Sequence, residues 1–256
     1  MTMYNSSEII GSLVREMLNE GRYDGAITRL SRHVVNSIKM YIELRTPGEP
    51  FVRRQVLDNQ TSPIVFAFSN VAKVETNFST ILNSESYSSG GGFGIQDSVI
   101  VLNIEIGENF SMTDMNKLVS NVKSTIAHEV HHSIQLEADP ALRYKDKSFK
   151  RPKDDPNKYH DFSSIPKIRA YFSDILEVEA FTIGLKKKAK HLRVPFESVV
   201  DEHLLRVYNS YSHIYKKKHL INLRFYLKVE LKTEMMRYHE KRYGGGKRFV
   251  QGADNE

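Results

Sequence analysis

Two adjoining stretches decide the fold: SVIVLNIEI at residues 98–106 and MTDMNKLVSNVKSTIAHEVHHSIQLE at residues 112–137. In the first, Ile100, Leu102, Ile104 and Ile106 alternate with Val99, Val101, Asn103 and Glu105, the period-2 pattern of a strand with one buried and one mixed face. In the second, Ser111 to Asp114 fits a capping-box start. Met115, Leu118, Val119, Val122, Ile126, Val130 and Ile134 then recur at helical spacing over about six turns. The pair predicts a strand that leads into a long amphipathic helix over residues 112–137.

On the N-terminal side, residues 6–44 are expected to form two helices separated at Gly21 to Gly25, with Ile9, Leu13 and Met17 striping the first and Ile27, Leu30, Val34, Ile38 and Ile42 the second. Between Pro50 and Gly107 the pattern changes to short β-rich runs, notably Pro63 to Phe68 and Ser98 to Ile106, which should build the sheet. Ser88 to Gly94 contains four glycines but lacks the G-x-x-x-x-G-K-[ST] of a phosphate loop, so it reads as a flexible turn. On the C-terminal side, Asp139 to Ile165 is polar, carries prolines and shows no period, which reads as a loop, a lid or disorder. Pro166, just after Ser163 and Ser164, sits where a helix accepts proline, and a second long helix should run to about Ala189. Further helices are expected in 196–240, and the glycine-rich tail 244–256 is expected to be disordered. The fold class is α+β: a small mixed sheet, a central helix and helical additions at both ends, in a single domain over 1–243.

A chain of 256 residues can bury one substantial core, and 40% hydrophobic with 27% charged content is a globular composition. No apolar run approaches the roughly 18 residues that a membrane span needs. The first residues lack a basic cluster ahead of an apolar stretch, so a secretory leader is not expected and the predicted location is cytoplasmic. There is no cysteine, which excludes disulfide scaffolds, thiolate metal sites and cysteine nucleophiles together. Charge is uneven: residues 1–140 carry 11 Lys+Arg against 16 Asp+Glu, and 141–256 carry 26 against 15, so the halves stand at −5 and +11. The basic half, with Lys186 to Lys188 and Lys216 to Lys218, reads as solvated helix faces or as a contact for nucleic acid or an acidic partner.

Within the long helix, His128-Glu129-Val130-His131-His132 matches the H-E-x-x-H pattern of zinc peptidases. Residues four apart rise one helical turn and share a face, so both imidazoles of His128 and His132 reach one Zn2+ ion, while Glu129 is offset by about 100° toward the attacking water. With 10 His and 19 Glu in the chain, random order gives such a pentad in roughly 3% of shuffled sequences. The competing reading is a helix with exposed or hydrogen-bonded core histidines. His131 is expected behind the ligands or at the surface. A catalytic site needs a third protein ligand. The metzincin spacing fails, because Gln135 and Ala138 stand where glycine and histidine are required.

Downstream, Glu177-Val178-Glu179-Ala180-Phe181 resembles the third-ligand helix of gluzincins, in which E-x-x-A follows H-E-x-x-H; Glu177 and Ala180 match it. The resemblance covers 124–136 and 171–184 and extends to CAAX-prenyl-protease-like peptidases, repressor-cleaving peptidases of mobile elements and uncharacterised bacteriophage-encoded peptidases. Several of these carry aspartate after the alanine, where this chain has Phe181. The resemblance implies a zincin-like fold, hydrolysis of peptide bonds in a protein or peptide substrate, Glu129 as general base, and Glu177 as third zinc ligand. It also implies action in a host cytoplasm or a virion. Helical phase places Ala170, Ser173, Asp174, Ala180, Phe181 and Gly184 on the Glu177 face, a face of mostly small residues. Glu179, His160 and an aspartate remain the other ligand candidates. Tyr171 is a candidate donor to an oxyanion. The strand over 98–106 is the predicted substrate edge. The rival to the enzyme reading is a non-catalytic phage or host interaction module that binds nucleic acid through its basic half.

Overall fold

Sheet and helices were traced in a computed structural model, which describes residues 6–44, 46, 48–49, 52–68, 70–138, 165–172, 174–212 and 217–243. Of 6–22, 165–167, 170, 217 and 218 it describes the backbone alone. The expectations for Asp139 to Ser164, His160 among them, and for the tail 244–256 lie outside these residues. The chain divides into two units, Met1–Pro140 and Ala141–Glu256, and the boundary falls where the charge changes sign. No described helix is long and apolar enough to cross a membrane.

The first unit is α+β. Helix α1 (Ser6–Leu44) precedes strand β1 (Val52–Asp58), the short helix α2 (Pro63–Phe66), and strands β2 (Lys73–Ile81), β3 (Tyr87–Gly94) and β4 (Val99–Gly107). A 3-10 turn (Met112–Asp114) then opens helix α3 (Met115–Ala138). The sheet order is β1-β2-β4-β3, with β2 parallel to β4 and the two outer strands antiparallel to their neighbours. The sheet is therefore mixed and small, as expected. Its inner face carries Val74 and Phe78 of β2 and Ile100, Leu102, Ile104 and Ile106 of β4, all buried. Each such side chain contributes about 1.5–3 kcal/mol relative to exposure. Helices α1 and α3 pack against each other and α3 lies on β3 and β4. The Tyr41 ring of α1 stacks on Phe78, and the Tyr23 hydroxyl donates to Glu137 of α3 (3.2 Å).

Three expectations for this unit are corrected. Residues 6–44 form one helix, not two. Tyr23, Ala26, Leu30, Val34, Ile38 and Tyr41 make one buried stripe, and its burial outweighs the helix penalty of about 1 kcal/mol for a glycine such as Gly25. Pro63 to Phe68 is not a strand: Pro63 opens α2 directly after Ser62, a position where its fixed φ suits a helix. Ser88 to Gly94 is not a turn but most of β3, paired along its length with β4. Capping by Ser111 is observed, its hydroxyl accepting from the Thr113 amide (3.3 Å).

The second unit is helical among its described residues: α4 (Ile165–Phe172), α5 (Ile175–Leu192), α6 (Phe196–Ser212), α7 (Lys217–Phe225), a π-helical turn (Tyr226–Leu231) and α8 (Lys232–Tyr243). Phe172, Val178, Leu185, Val200, Leu204 and Leu227 belong to its core. The helix expected to run unbroken to Ala189 is split. Asp174 adopts an extended conformation and caps α5, its carboxylate accepting from the Leu176 amide (2.9 Å). Asp relieves the unsatisfied amides of a helix start better than it serves mid-helix. The phase argument that grouped Ala170, Ser173 and Asp174 with Glu177 therefore fails; Ala180, Phe181 and Gly184 stay in phase with it.

Candidate metal centre

The site grows from two elements of the first unit: α3, which carries the motif, and β3, which lies on it. Residues Ile126 to His131 are all buried, so the middle of α3 is enclosed on every side. On one stripe of this helix stand His128, His132 and Gln135, at spacings of four and three. The Nε2 atoms of His128 and His132 lie 3.1 Å apart, with the rings nearly perpendicular (86°) and their centroids at 4.7 Å. Glu129, 4% exposed, brings its Oε1 within 4.0 Å of His128 Nε2. One ligand atom from each of His128, Glu129 and His132 falls within 4.8 Å of the others, which is the geometry of a group able to hold one ion.

The spacing of the two nitrogens is a direct test of fit. For Zn–N bonds of about 2.0–2.1 Å in a tetrahedral site, two ligand nitrogens stand about 3.3 Å apart. The observed 3.1 Å is close to that edge. The two imidazole donors also suit zinc.

Strand β3 supplies the other wall. An ideal Cβ on Gly91 would stand 3.0 Å from Glu129 Oε1, 2.8 Å from Thr125 Cγ2 and 3.0 Å from the Val101 carbonyl oxygen. Ser89 approaches Thr125 from the same strand (Oγ to Oγ1, 3.4 Å). The Gly107 amide donates to the Ser86 carbonyl (2.7 Å) and sets the phase of the β3–β4 ladder. Alternation in an antiparallel pair then turns the main-chain groups of Ser88, Gly90 and Gly92 toward β4, and those of Ser89, Gly91 and Phe93 toward the edge that no described strand occupies. Strand β4 lies between β2 and β3, both of its edges in use. It cannot be the substrate edge expected from its sequence. The edge beside the motif is β3.

Comparison with protein-family models, with curated proteins and with solved structures finds no match to this chain.

His131 is 5% exposed, so it is a core residue and not a surface one. Glu177 belongs to the second unit, where it is the third residue of α5 behind the Asp174 cap, a position at which an acidic side chain is favoured by the helix dipole. Glu179 is half-buried on the same helix, and Ala180 is fully buried. Tyr171 packs edge-on against Phe172 and Phe181 at the margin of the second core, with centroids at 5.0 and 6.4 Å.

Sequence reasoning missed Gly91, Thr125 and Gln135. A signal existed for each: a glycine inside a strand marks a close backbone approach, Thr125 lies one turn before Glu129, and Gln135 is a polar residue one turn after His132.

Proposed function

We propose that this protein is a zinc-dependent peptidase with a zincin-like first unit. The observation that carries the reading is the pair of imidazole nitrogens 3.1 Å apart, with a buried carboxylate 4.0 Å from one of them. His128 and His132 hold the ion, and Glu177 is the sequence's candidate for the third ligand. Zinc bound there would supply Lewis acidity, which lowers the pKa of a water and draws charge from a carbonyl.

The rest of the chemistry belongs to the chain. Glu129 takes the proton of the attacking water and returns it to the departing amine as the C–N bond breaks. Its burial keeps competing solvent away from that proton. An extended segment of the substrate adds to β3, bonding to the main-chain groups of Ser89, Gly91 and Phe93 on the edge that no described strand occupies. Gly91 is exposed at this edge. Because these contacts use backbone, they select an unfolded or extended segment more than a particular sequence.

Elemental analysis of the purified full chain tests the reading. About one zinc per chain is expected, lost in His132→Ala and in one of Glu177→Ala and Glu179→Ala, which names the third ligand. A chain with no metal and no zinc uptake on titration would sink the proposal.

The charge of residues 141–256, +11 by sequence, favours a second reading in which this part contacts nucleic acid or an acidic partner. Binding of the full chain to a DNA duplex should then weaken by orders of magnitude as salt rises from about 50 to 200 mM. Absence of binding at low salt removes that reading.

A further inference from the structure

An imidazole can turn only one nitrogen to a metal ion, and which one carries the lone pair is set by what the other nitrogen meets. For His132 the structure gives that partner. Its Nδ1 lies 2.8 Å from Oε1 of Gln135, one turn further along the same helix. An amide oxygen only accepts, so this contact requires the proton on Nδ1 and puts the lone pair of the neutral ring on Nε2. That Nε2 is the atom which faces His128 Nε2 at 3.1 Å, inside the group that can hold an ion.

Gln135 is 8% exposed. A buried amide costs several kcal/mol when unsatisfied, so a side chain with no polar task at this position would be an aliphatic one.

We infer that Gln135 is a positioning residue that locks His132 in its Nδ1–H form, with Nε2 turned to the metal. The inference rests on the zinc reading above for its purpose, but the lock itself exists without metal. It has a consequence for the neighbouring ring. With His132 Nε2 an acceptor, the hydrogen bond between the two rings must be donated by His128 Nε2. In the metal-free chain the two ligands therefore hold opposite tautomers, and zinc binding changes that of His128 while leaving that of His132 in place.

The test uses the full chain, metal-free, with 15N-labelled histidine, and long-range 1H–15N correlation to read each ring. Wild type should show His132 protonated on Nδ1 and His128 on Nε2. Gln135→Leu should shift His132 toward Nε2–H, the form that a neutral ring prefers in water, and Gln135→Glu should keep Nδ1–H. Competition for zinc alone against a chromophoric chelator should find affinity about 10–100-fold weaker in Gln135→Leu and at least as strong in Gln135→Glu.

A wild-type His132 protonated on Nε2 overturns the inference, and so does a Gln135→Leu chain that keeps both the Nδ1–H form and the zinc affinity. The wild-type spectrum decides even where Gln135→Leu folds poorly. No zinc uptake by wild type is a different failure: it removes the metal reading, while the His132 tautomer still settles the role of Gln135.

Discussion

Consider a methyl group placed at residue 91. In Gly91→Ala the new carbon would sit 2.8 Å from Thr125 Cγ2, 3.0 Å from Glu129 Oε1 and 3.0 Å from the carbonyl oxygen of Val101. Ordinary contact between non-bonded carbons is about 3.5–4.0 Å, so Thr125 Cγ2 must yield by about half an ångström or more, and the two oxygens by a few tenths of an ångström. Glu129 can turn away, but Thr125 is β-branched and stiff on a helix, and Val101 is held in the central strand. Overpacking of this kind costs about 1–3 kcal/mol, against a gain of about 0.4–1 kcal/mol because alanine restricts the unfolded chain. Gly90 and Gly92 supply the control, because a Cβ on either meets nothing within 4 Å. Gly90→Ala and Gly92→Ala should then gain about 0.4–1 kcal/mol where Gly91→Ala loses up to about 2.5 kcal/mol. Urea denaturation of the three full-length variants, followed by circular dichroism, measures the difference. Gly91→Ala should also lower kcat for peptide hydrolysis more than it raises KM, since the displaced group is the proposed base. A Gly91→Ala chain as stable as Gly90→Ala would refute the close approach of β3 to Glu129.

Other substitutions test separate links. Glu129→Gln should keep zinc while kcat falls by about 10²–10⁴, and His132→Ala should lose zinc and hydrolysis together; full activity in Glu129→Gln would remove the assigned base. Burial, and after it the Lys186 ammonium, holds the His239 imidazole below its usual range. A base depressed in the folded state binds fewer protons there than when unfolded, so stability should fall as pH drops below 6.5 toward the folded value. His239→Phe keeps the stack on Phe196 (4.1 Å) and should flatten that slope between about pH 7 and 5 in urea titrations; an unchanged slope assigns it elsewhere. Lys188, 2% exposed and paired with Glu202 (3.0 Å), is likewise held low by desolvation. Lys188→Met should be neutral or stabilising by about 1 kcal/mol, because Glu202 stays half-exposed to water; a loss beyond about 2 kcal/mol would show that the pair stabilises the second core.

Strand β4 and helix α3 are legible in sequence because the apolar residues of each recur at the period of the element. The histidine pair is legible for the same reason, since spacing on a helix translates directly into distance. What sequence windows miss is set by distant partners. The continuity of α1 through Gly25 depends on a buried stripe from Tyr23 to Tyr41, which outweighs a local penalty. The break between α4 and α5 depends on one carboxylate choosing a cap, a preference of the same order as helix propensity itself. The order β1-β2-β4-β3 is beyond any period. It makes the most hydrophobic strand an interior one and leaves the glycine-rich strand at the edge.

The glycine content of β3 has a physical explanation. Four glycines in eight residues argue against a strand on propensity, since glycine has no side chain to pack and the most backbone entropy to lose. Yet β3 pairs with β4 over its whole length. The compensation lies on another element: at Gly91 the space for a side chain is already taken by Thr125 and Glu129. Gln135 breaks a rule in the same way, as a polar residue on a buried helix stripe where an aliphatic one would pack at less cost, and its partner is His132. Departures from local preference are expected where packing has yielded to chemistry. Here two of them, on different elements and of different kinds, converge on residues 125–135 of a single helix.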